Sequence, residues 1–293
     1  MADGSLPVTR PALRYLGGKW RLAPWIIGHF PAHRIYVEPF GGGASVLLRK
    51  PRAYAEVYND LDGEVVNLFR VLRDPVLSAE LVRQIGLTPF AREEFDGAYE
   101  PCADPLERAR RMVVRSLMGH GNISARIDRT TGFRSNSSRS GTTPAHDWRN
   151  YPDKLWPIID RLRGVVVENT DAVAVMARHD GRETLHYVDP PYVHATRGAS
   201  GGGKAGGTVA PSAGYAHEMT DADHARLLDA VLALRGMVIL SGYGHPLYDA
   251  ALAGWRRVER ETMADGARPR VEVLWINPAA CGHGDLFGGS AHG

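Results

Sequence analysis

The segment "YVDPPYV" at 187–193 sets a carboxylate, two prolines and an aromatic ring side by side after an apolar run. Two prolines remove two backbone donors and fix two φ angles, so a strand that reaches them stops there. Asp189 and the Pro190 carbonyl are then two acceptors at a strand's end, beside the ring of Tyr192. One chemistry that needs this set is attack by the exocyclic amino nitrogen of a base such as adenine. That nitrogen is a poor nucleophile, because its lone pair is delocalised into the ring. Two acceptors on its N–H bonds return density to nitrogen and favour the pyramidal geometry of attack. Tyr192 offers a face for stacking such a base, worth about 1–3 kcal/mol. The base must leave its duplex to reach the pocket, and an in-line transfer to it needs positioning and no metal. For the tetrapeptide alone, the plain alternative is a tight turn that ends a strand.

A second group of residues suits a nucleoside ligand. "YVEPFGGGASVLL" (36–48) reads as a strand, the turn Gly41-Gly42-Gly43 and an apolar helix start. Glycines let backbone turn sharply and approach a ligand closely. Val46 stands where the dinucleotide fingerprint wants its third glycine, which counts against NAD. Glu38 lies at the strand's C-terminal edge, and Asp60 ends the next strand, where an acid can accept hydrogen bonds from ribose hydroxyls. Lys19, in "YLGGKW", can meet a ligand carboxylate. S-adenosylmethionine (AdoMet) has ribose hydroxyls, an ammonium and a sulfonium but no pyrophosphate, and it fits this set. NAD remains the alternative.

The elements that would position these groups are short apolar runs alternating with helical patterns, the signature of a mostly parallel α/β sheet. The strands expected are 34–38, 55–59, 164–168, 185–189, 237–241, 256–262 and 271–277. Val65, Leu68, Phe69 and Leu72 have helical spacing within 61–74. The segment 220–236 reads as a helix capped by Thr220, with Asp223 completing a capping box and Gly236 ending it. The stretch 75–155 is rich in Arg, Ser, Gly and Pro; one helical segment is expected in it, at 105–119, followed by a polar loop. It reads as an inserted smaller domain. The glycine-rich segment 195–214 follows Tyr192 and reads either as a lid that orders on substrate or as an idle surface loop.

The chain has 293 residues and 44% hydrophobic content, enough for a large core and up to two domains. It has no apolar stretch of roughly 20 residues, the length a membrane span needs. Its first residues lack the apolar centre of a signal peptide, and Cys102 and Cys281 match no metal-ligand spacing. A reduced, cytoplasmic protein is the expectation. Net charge is +2, yet 106–139 carries eight arginines against Glu107 and Asp128, a local +6 that leaves −4 elsewhere. Such asymmetry points to a bound polyanion or, more plainly, to a solvated arginine-rich helix face.

The chain resembles the AdoMet-dependent DNA adenine methyltransferases of the Dam family, or D12 class. The matching residues are "RYLGGKW" (14–20), "VEPFGGGASV" (37–46), "YND" (58–60), "YVDPPY" (187–192), "VILSGY" (238–243) and "EVLWIN" (272–277), in the family's order. The resemblance implies an α/β fold, a Rossmann-like seven-stranded class I methyltransferase sheet whose last strand runs antiparallel. It also implies an inserted, mainly helical target-recognition domain at 75–155 within a catalytic domain formed by 1–74 and 156–293. The activity implied is site-specific methyl transfer from AdoMet to the amino nitrogen of adenine in double-stranded DNA, as in restriction–modification. Asp189, Pro190 and Tyr192 would hold the target.

Family cofactor contacts fall on Tyr15, Lys19, Glu38, Phe40, Gly41, Gly43 and Asp60, with Tyr15 standing where some relatives carry tryptophan. Asn169 and Asp171 in "VENTDAV" are the candidates for the rest of the cofactor pocket. Arg126, Arg129, Arg134 and Asn136 are candidates for DNA contact, most of them to phosphate. His194 reads as a local contact, no membrane or metal is implied, and a monomer is favoured. Two other functions carry weight: the same chemistry on RNA or on a protein glutamine amide, and a DNA-binding module on a degenerate methyltransferase fold. Asp rather than Asn at 189, together with the arginine-rich insert, favours DNA.

Overall fold

The computed structural model describes residues 7–128, 130–136, 141–193, 217–263 and 269–282. Its strands are β1 (Ile35–Glu38), β2 (Ala55–Asn59), β3 (Val165–Glu168), β4 (Thr184–Val188), β5 (Met237–Tyr243), β6 (Arg256–Met263) and β7 (Pro269–Ile276). All seven lie within two residues of the segments expected from sequence. They form one sheet in the order β3-β2-β1-β4-β5-β7-β6. β1 pairs in parallel with β2 and β4, and β4 with β5, whereas β7 runs antiparallel to both β5 and β6. The fold class is therefore the mixed α/β, Rossmann-like sheet that was expected, with its last strand reversed.

Two compact units organise the packing. The first contains Trp25–Phe40, Arg52–Asn59 and Thr170–Gly293. Its inner strands are apolar because parallel strands are covered on both faces, and all five residues of β4 are buried. One core cluster joins Val188, Val238, Leu240, Val273 and Trp275 of the sheet to Leu227, Leu228 and Val231 of the helix α9 (Asp221–Ala233). Tyr248 and Leu252 reach the same cluster at α10 (Pro246–Ala251) and its C-cap. A smaller cluster packs Val37 and Val57 against Val175 of α8 (Ala172–Arg178).

The capping box of α9 forms as its sequence requires: the Asp223 N–H donates to Thr220 Oγ1, and the Thr220 N–H donates to Asp223 Oδ2. Gly236 does not end this helix, which stops at Ala233 with Leu234 as its cap. Gly236 is instead a point of close approach. A Cβ there would lie 2.8 Å from the carbonyls of Gly181 and Thr184, where only a glycine fits.

The second unit contains Met1–Pro24, Gly41–Pro51 and Asp60–Asn169 and is mainly helical. It holds α2 (Gly63–Arg73), α3 (Pro75–Leu87), α4 (Arg92–Gly97), α5 (Pro105–Met118), α6 (Pro144–Arg149) and α7 (Pro152–Leu162), with a 3-10 turn at Asn122–Ala125. The short α1 (Ala23–Ile27) precedes β1. Helix α5 was expected; α3, α4 and α6 were not, so 75–155 is more helical than its composition suggested. The signal for α3 was local, since Asp74 caps it by accepting from the N–H groups of Val76 and Leu77, with Pro75 at its first position. Ser116 Oγ donates to the Arg14 carbonyl and accepts the Arg14 N–H, and Tyr151 donates to the Ala12 carbonyl. These bonds tie the N-terminal segment to the helices. Among the described residues no helix is long and apolar enough to cross a membrane.

Candidate active site

Strand β4 ends at Val188, and the pair of prolines keeps Asp189–Tyr192 out of regular structure. Parallel pairing sets Val188 opposite Leu240, which carries Ser241 of β5 up to the carboxylate of Asp189. Ser241 Oγ donates to Asp189 Oδ1 at 2.8 Å, and Tyr187 Oη lies 2.9 Å from Ser241 Oγ. The single serine proton is used on the carboxylate, so Tyr187 is the donor in the second bond. Burial first, and then the negative charge of Asp189, push the Tyr187 phenol well above its ordinary pKa, which keeps that proton in place.

On the other side of β5, antiparallel pairing sets Tyr243 opposite Glu272 of β7. Glu272 is only 2% exposed, and its Oε1 accepts the Tyr192 hydroxyl at 2.5 Å. The same hydroxyl is 3.3 Å from Asp189 Oδ1. One phenol proton serves the shorter contact, and the approach to Asp189 is the weaker of the two. The buried ring of Tyr192 meets that of Tyr243 edge-on, with centroids 4.5 Å apart. Asp189, Pro190 and Tyr192 follow directly on β4, and Tyr187, Ser241, Tyr243 and Glu272, none of them singled out from the sequence, are their neighbours. Ser241, Tyr243 and Glu272 sit inside "VILSGY" and "EVLWIN", and the signal was a polar residue on a strand otherwise built for a core.

In the same unit Glu38 ends β1, is 3% exposed, and accepts the Tyr36 hydroxyl at 2.8 Å. Burial and then the charge of Glu38 raise the Tyr36 phenol well above its usual pKa, so it stays a donor. Asn59 is fully buried; its amide donates to the Pro39 and Thr170 carbonyls and accepts the Thr170 N–H. That amide ties the chain leaving β1 to the chain entering α8. Phe40 packs against the larger core cluster. Asp171 caps α8 through the Ala174 N–H and pairs with Arg226 at 2.7 Å, which holds its carboxyl below the usual range.

In the helical unit the glycine loop is built around Tyr15. Gly42 has φ +46°, and a Cβ there would come 3.0 Å from the Tyr15 ring; a Cβ on Gly43 would come 3.2 Å from the Tyr15 Cβ. The Gly41 carbonyl accepts the Ala44 N–H at 2.7 Å. Asp60 Oδ2 accepts the Gly42 N–H and Oδ1 accepts the Asp62 N–H, both at 2.8 Å. The carboxylate expected to accept from ribose is here the clamp of the loop, with both of its oxygens engaged. The Tyr15 hydroxyl donates to Asp62 Oδ2 at 3.0 Å, and burial followed by the charges of Asp60 and Asp62 raises its pKa. Asn169 donates to the carbonyls of Asp60 and Leu61. Lys19 is buried at 6% exposure, with its ammonium 3.2 Å from the Gly17 carbonyl. The helix start expected after Gly43 is a run of turns instead, because Ala44 at φ +53° leaves the right-handed region and Pro51 follows.

Much of the arginine excess is balanced locally. Arg108 pairs with Glu64 at 2.5 Å, Arg110 with Glu94 and Glu107, and Arg111 with Glu107. Arg115 is 1% exposed and donates to the carbonyls of Ala98 and Ala125. Helix α5 is thus a packing element more than a free basic face. Among the candidates for DNA contact, Arg126 pairs with Asp128, Arg134 donates to the Leu117 carbonyl, and Asn136 is exposed. Arg129, His194 and the glycine-rich 195–214 lie outside the described residues.

With this geometry in view, the comparisons with known proteins define a class. The family model described as D12 class N6 adenine-specific DNA methyltransferase matches residues 15–206, and the chain belongs to that family. It is similar to the DNA adenine methylases of Salmonella typhi and Salmonella typhimurium, at 25% identity over 195 residues in each case. The match covers 62% of this chain and 65% of each relative, so the chain spans just under two thirds of the relatives it matches. Strands β5, β6 and β7 lie beyond the stretch matched by the family model.

Proposed function

We propose that this chain is a DNA adenine methyltransferase that uses AdoMet and acts on an adenine extruded from double-stranded DNA. The observation that carries the reading is Asp189, held through one oxygen by Ser241 and flanked by Pro190 and Tyr192 at the end of β4. Asp189 and the Pro190 carbonyl accept the two amino N–H bonds of adenine, and the carboxylate steadies the proton that nitrogen sheds as it is alkylated. Tyr192 stacks the base.

The donor set suits AdoMet: a buried ammonium at Lys19 for its carboxylate, and carboxylates at Glu38 and Asp60 for its ammonium and hydroxyls. Gly41 and Gly43 form the turn that Tyr15 supports, Asn169 binds the Asp60 carbonyl, and Phe40 and Asp171, which caps α8, complete the set assigned to the cofactor. When bound, AdoMet supplies an electrophilic methyl on sulfur. The segment 75–155 serves as the target-recognition insert within a catalytic domain of 1–74 and 156–293, with Arg126, Arg129, Arg134 and Asn136 on the DNA and the reaction in the cytoplasm.

The test is labelled AdoMet with duplex DNA, RNA or protein, for wild type and Asp189→Ala. Label should enter duplex DNA as N6-methyladenine, and Asp189→Ala should abolish transfer while cofactor affinity stays within about twofold. Label in RNA or in glutamine would move the substrate class. Transfer by the Asp189→Ala protein would remove Asp189 from the mechanism.

A further inference from the structure

We infer that Glu272 is a positioning residue: it takes the phenol proton of Tyr192, fixes that ring, and thereby reserves Asp189 for the amino group of the target base. The inference rests on the function proposed above and adds to it a residue outside the stretch that the family model matches.

Glu272 is out of character for its place. Alternation along β7 puts it in one row with Leu274 and Ile276, which are 0% and 3% exposed. A carboxylate 2% exposed in such a row costs several kcal/mol unless it is paired or hydrogen-bonded. Its bond to Tyr192 spans 80 residues of sequence and joins β7 to the segment after β4.

The second part of the argument is a competition. The Tyr192 hydroxyl has one proton and two carboxylates within reach, Glu272 at 2.5 Å and Asp189 at 3.3 Å. If the proton went to Asp189, that carboxylate would already accept from both Ser241 and Tyr192, and its pull on an amino N–H would weaken. Glu272 removes the competitor. It also anchors the far end of the ring, whose rotation is limited by edge-on packing against Tyr243 at 4.5 Å.

Reach, and not charge, is then the property that matters, and two substitutions separate them. Glu272→Gln keeps an acceptor oxygen at the same distance and loses the charge. Glu272→Asp keeps the charge and withdraws the acceptor by one methylene. The assay is steady-state methylation of duplex DNA from a methylation-deficient bacterial strain, with kcat and the AdoMet KM measured separately and folding checked by thermal melting. Wild-type transfer to this DNA is established first, and its absence would overturn the proposed function along with this inference. Given that activity, E272Q should keep kcat within about threefold, whereas E272D should lose about 10- to 100-fold in kcat with the AdoMet KM within about twofold. In a Tyr192→Phe background E272D should cause no further loss, because the proton being managed is gone. Three results would each overturn the role of Glu272 alone: E272Q slower than E272D, E272D with wild-type kcat, or losses that multiply in the Y192F background.

Discussion

Among the described residues, tyrosine hydroxyls donate to the carboxylates of Asp62 (from Tyr15), Glu38 (from Tyr36) and Glu272 (from Tyr192). Each phenol is a neutral donor that fixes an anion without adding positive charge. Asp189 is served the same way at one remove, through Tyr187 and Ser241. Ser241→Ala should lower kcat about tenfold at unchanged AdoMet affinity, since one oriented bond to Asp189 is lost. It should also cost about 1–3 kcal/mol of stability, because the buried Tyr187 hydroxyl loses its acceptor; kinetics and urea melts together check both. Unaltered kcat would mean that the Ser241 bond does not orient Asp189. At Gly42, φ +46° and a Cβ contact of 3.0 Å act together. Gly42→Ala should cost about 1–2 kcal/mol and weaken AdoMet binding measured by calorimetry. A binding isotherm like that of wild type would separate this loop from the cofactor.

Strand β4 carries a pH dependence of its own. His186 is fully buried, and its Nε2 lies 3.4 Å from Asp180 Oδ1, close enough for attraction but without hydrogen-bond geometry. Burial lowers its pKa from 6.5 to about 4, against the opposing pull of Asp180 and with a small push from His179. The unfolded chain takes up this proton near pH 6.5 and the folded chain refuses it until about pH 4. Stability is therefore complete above that window and falls as pH drops through it, by on the order of 3 kcal/mol. Urea melts across the window should show this loss, and His186→Leu should flatten it; parallel slopes for the two proteins would place the titration elsewhere. Most elements were legible because their signals are local. Thr220 and Asp223 announce α9 within four residues, and each strand is a short apolar run. Helix α3 was hidden by averaging composition over the whole of 75–155, although Asp74-Pro75 marks its start.

At the scale of the whole molecule, net charge misleads and pairing informs. The +6 of 106–139, which already counts Glu107, shrinks once Arg108 and Arg110 are seen with Glu64 and Glu94 from outside the segment. After α5, Arg126 pairs with Asp128 and Arg134 donates to the Leu117 carbonyl. Arg134→Ala should weaken DNA binding equally across sequences and reduce the magnitude of its salt slope by about one; filter binding over a salt series measures this, and an unchanged slope would return Arg134 to a purely structural bond with Leu117. The sequence by itself determined the strand set, the glycine turn, the N-terminal cap of α9 and the Asp189–Tyr192 segment, because each depends on residues a few positions apart. Only the tertiary structure decided which groups surround Asp189 and how the arginines are spent. Ser241 lies 52 residues from Asp189, Glu272 lies 80 from Tyr192, and Glu64 lies 44 from Arg108. Contacts over such separations follow from strand order, register and helix packing, and the local chain has no means of encoding them in isolation.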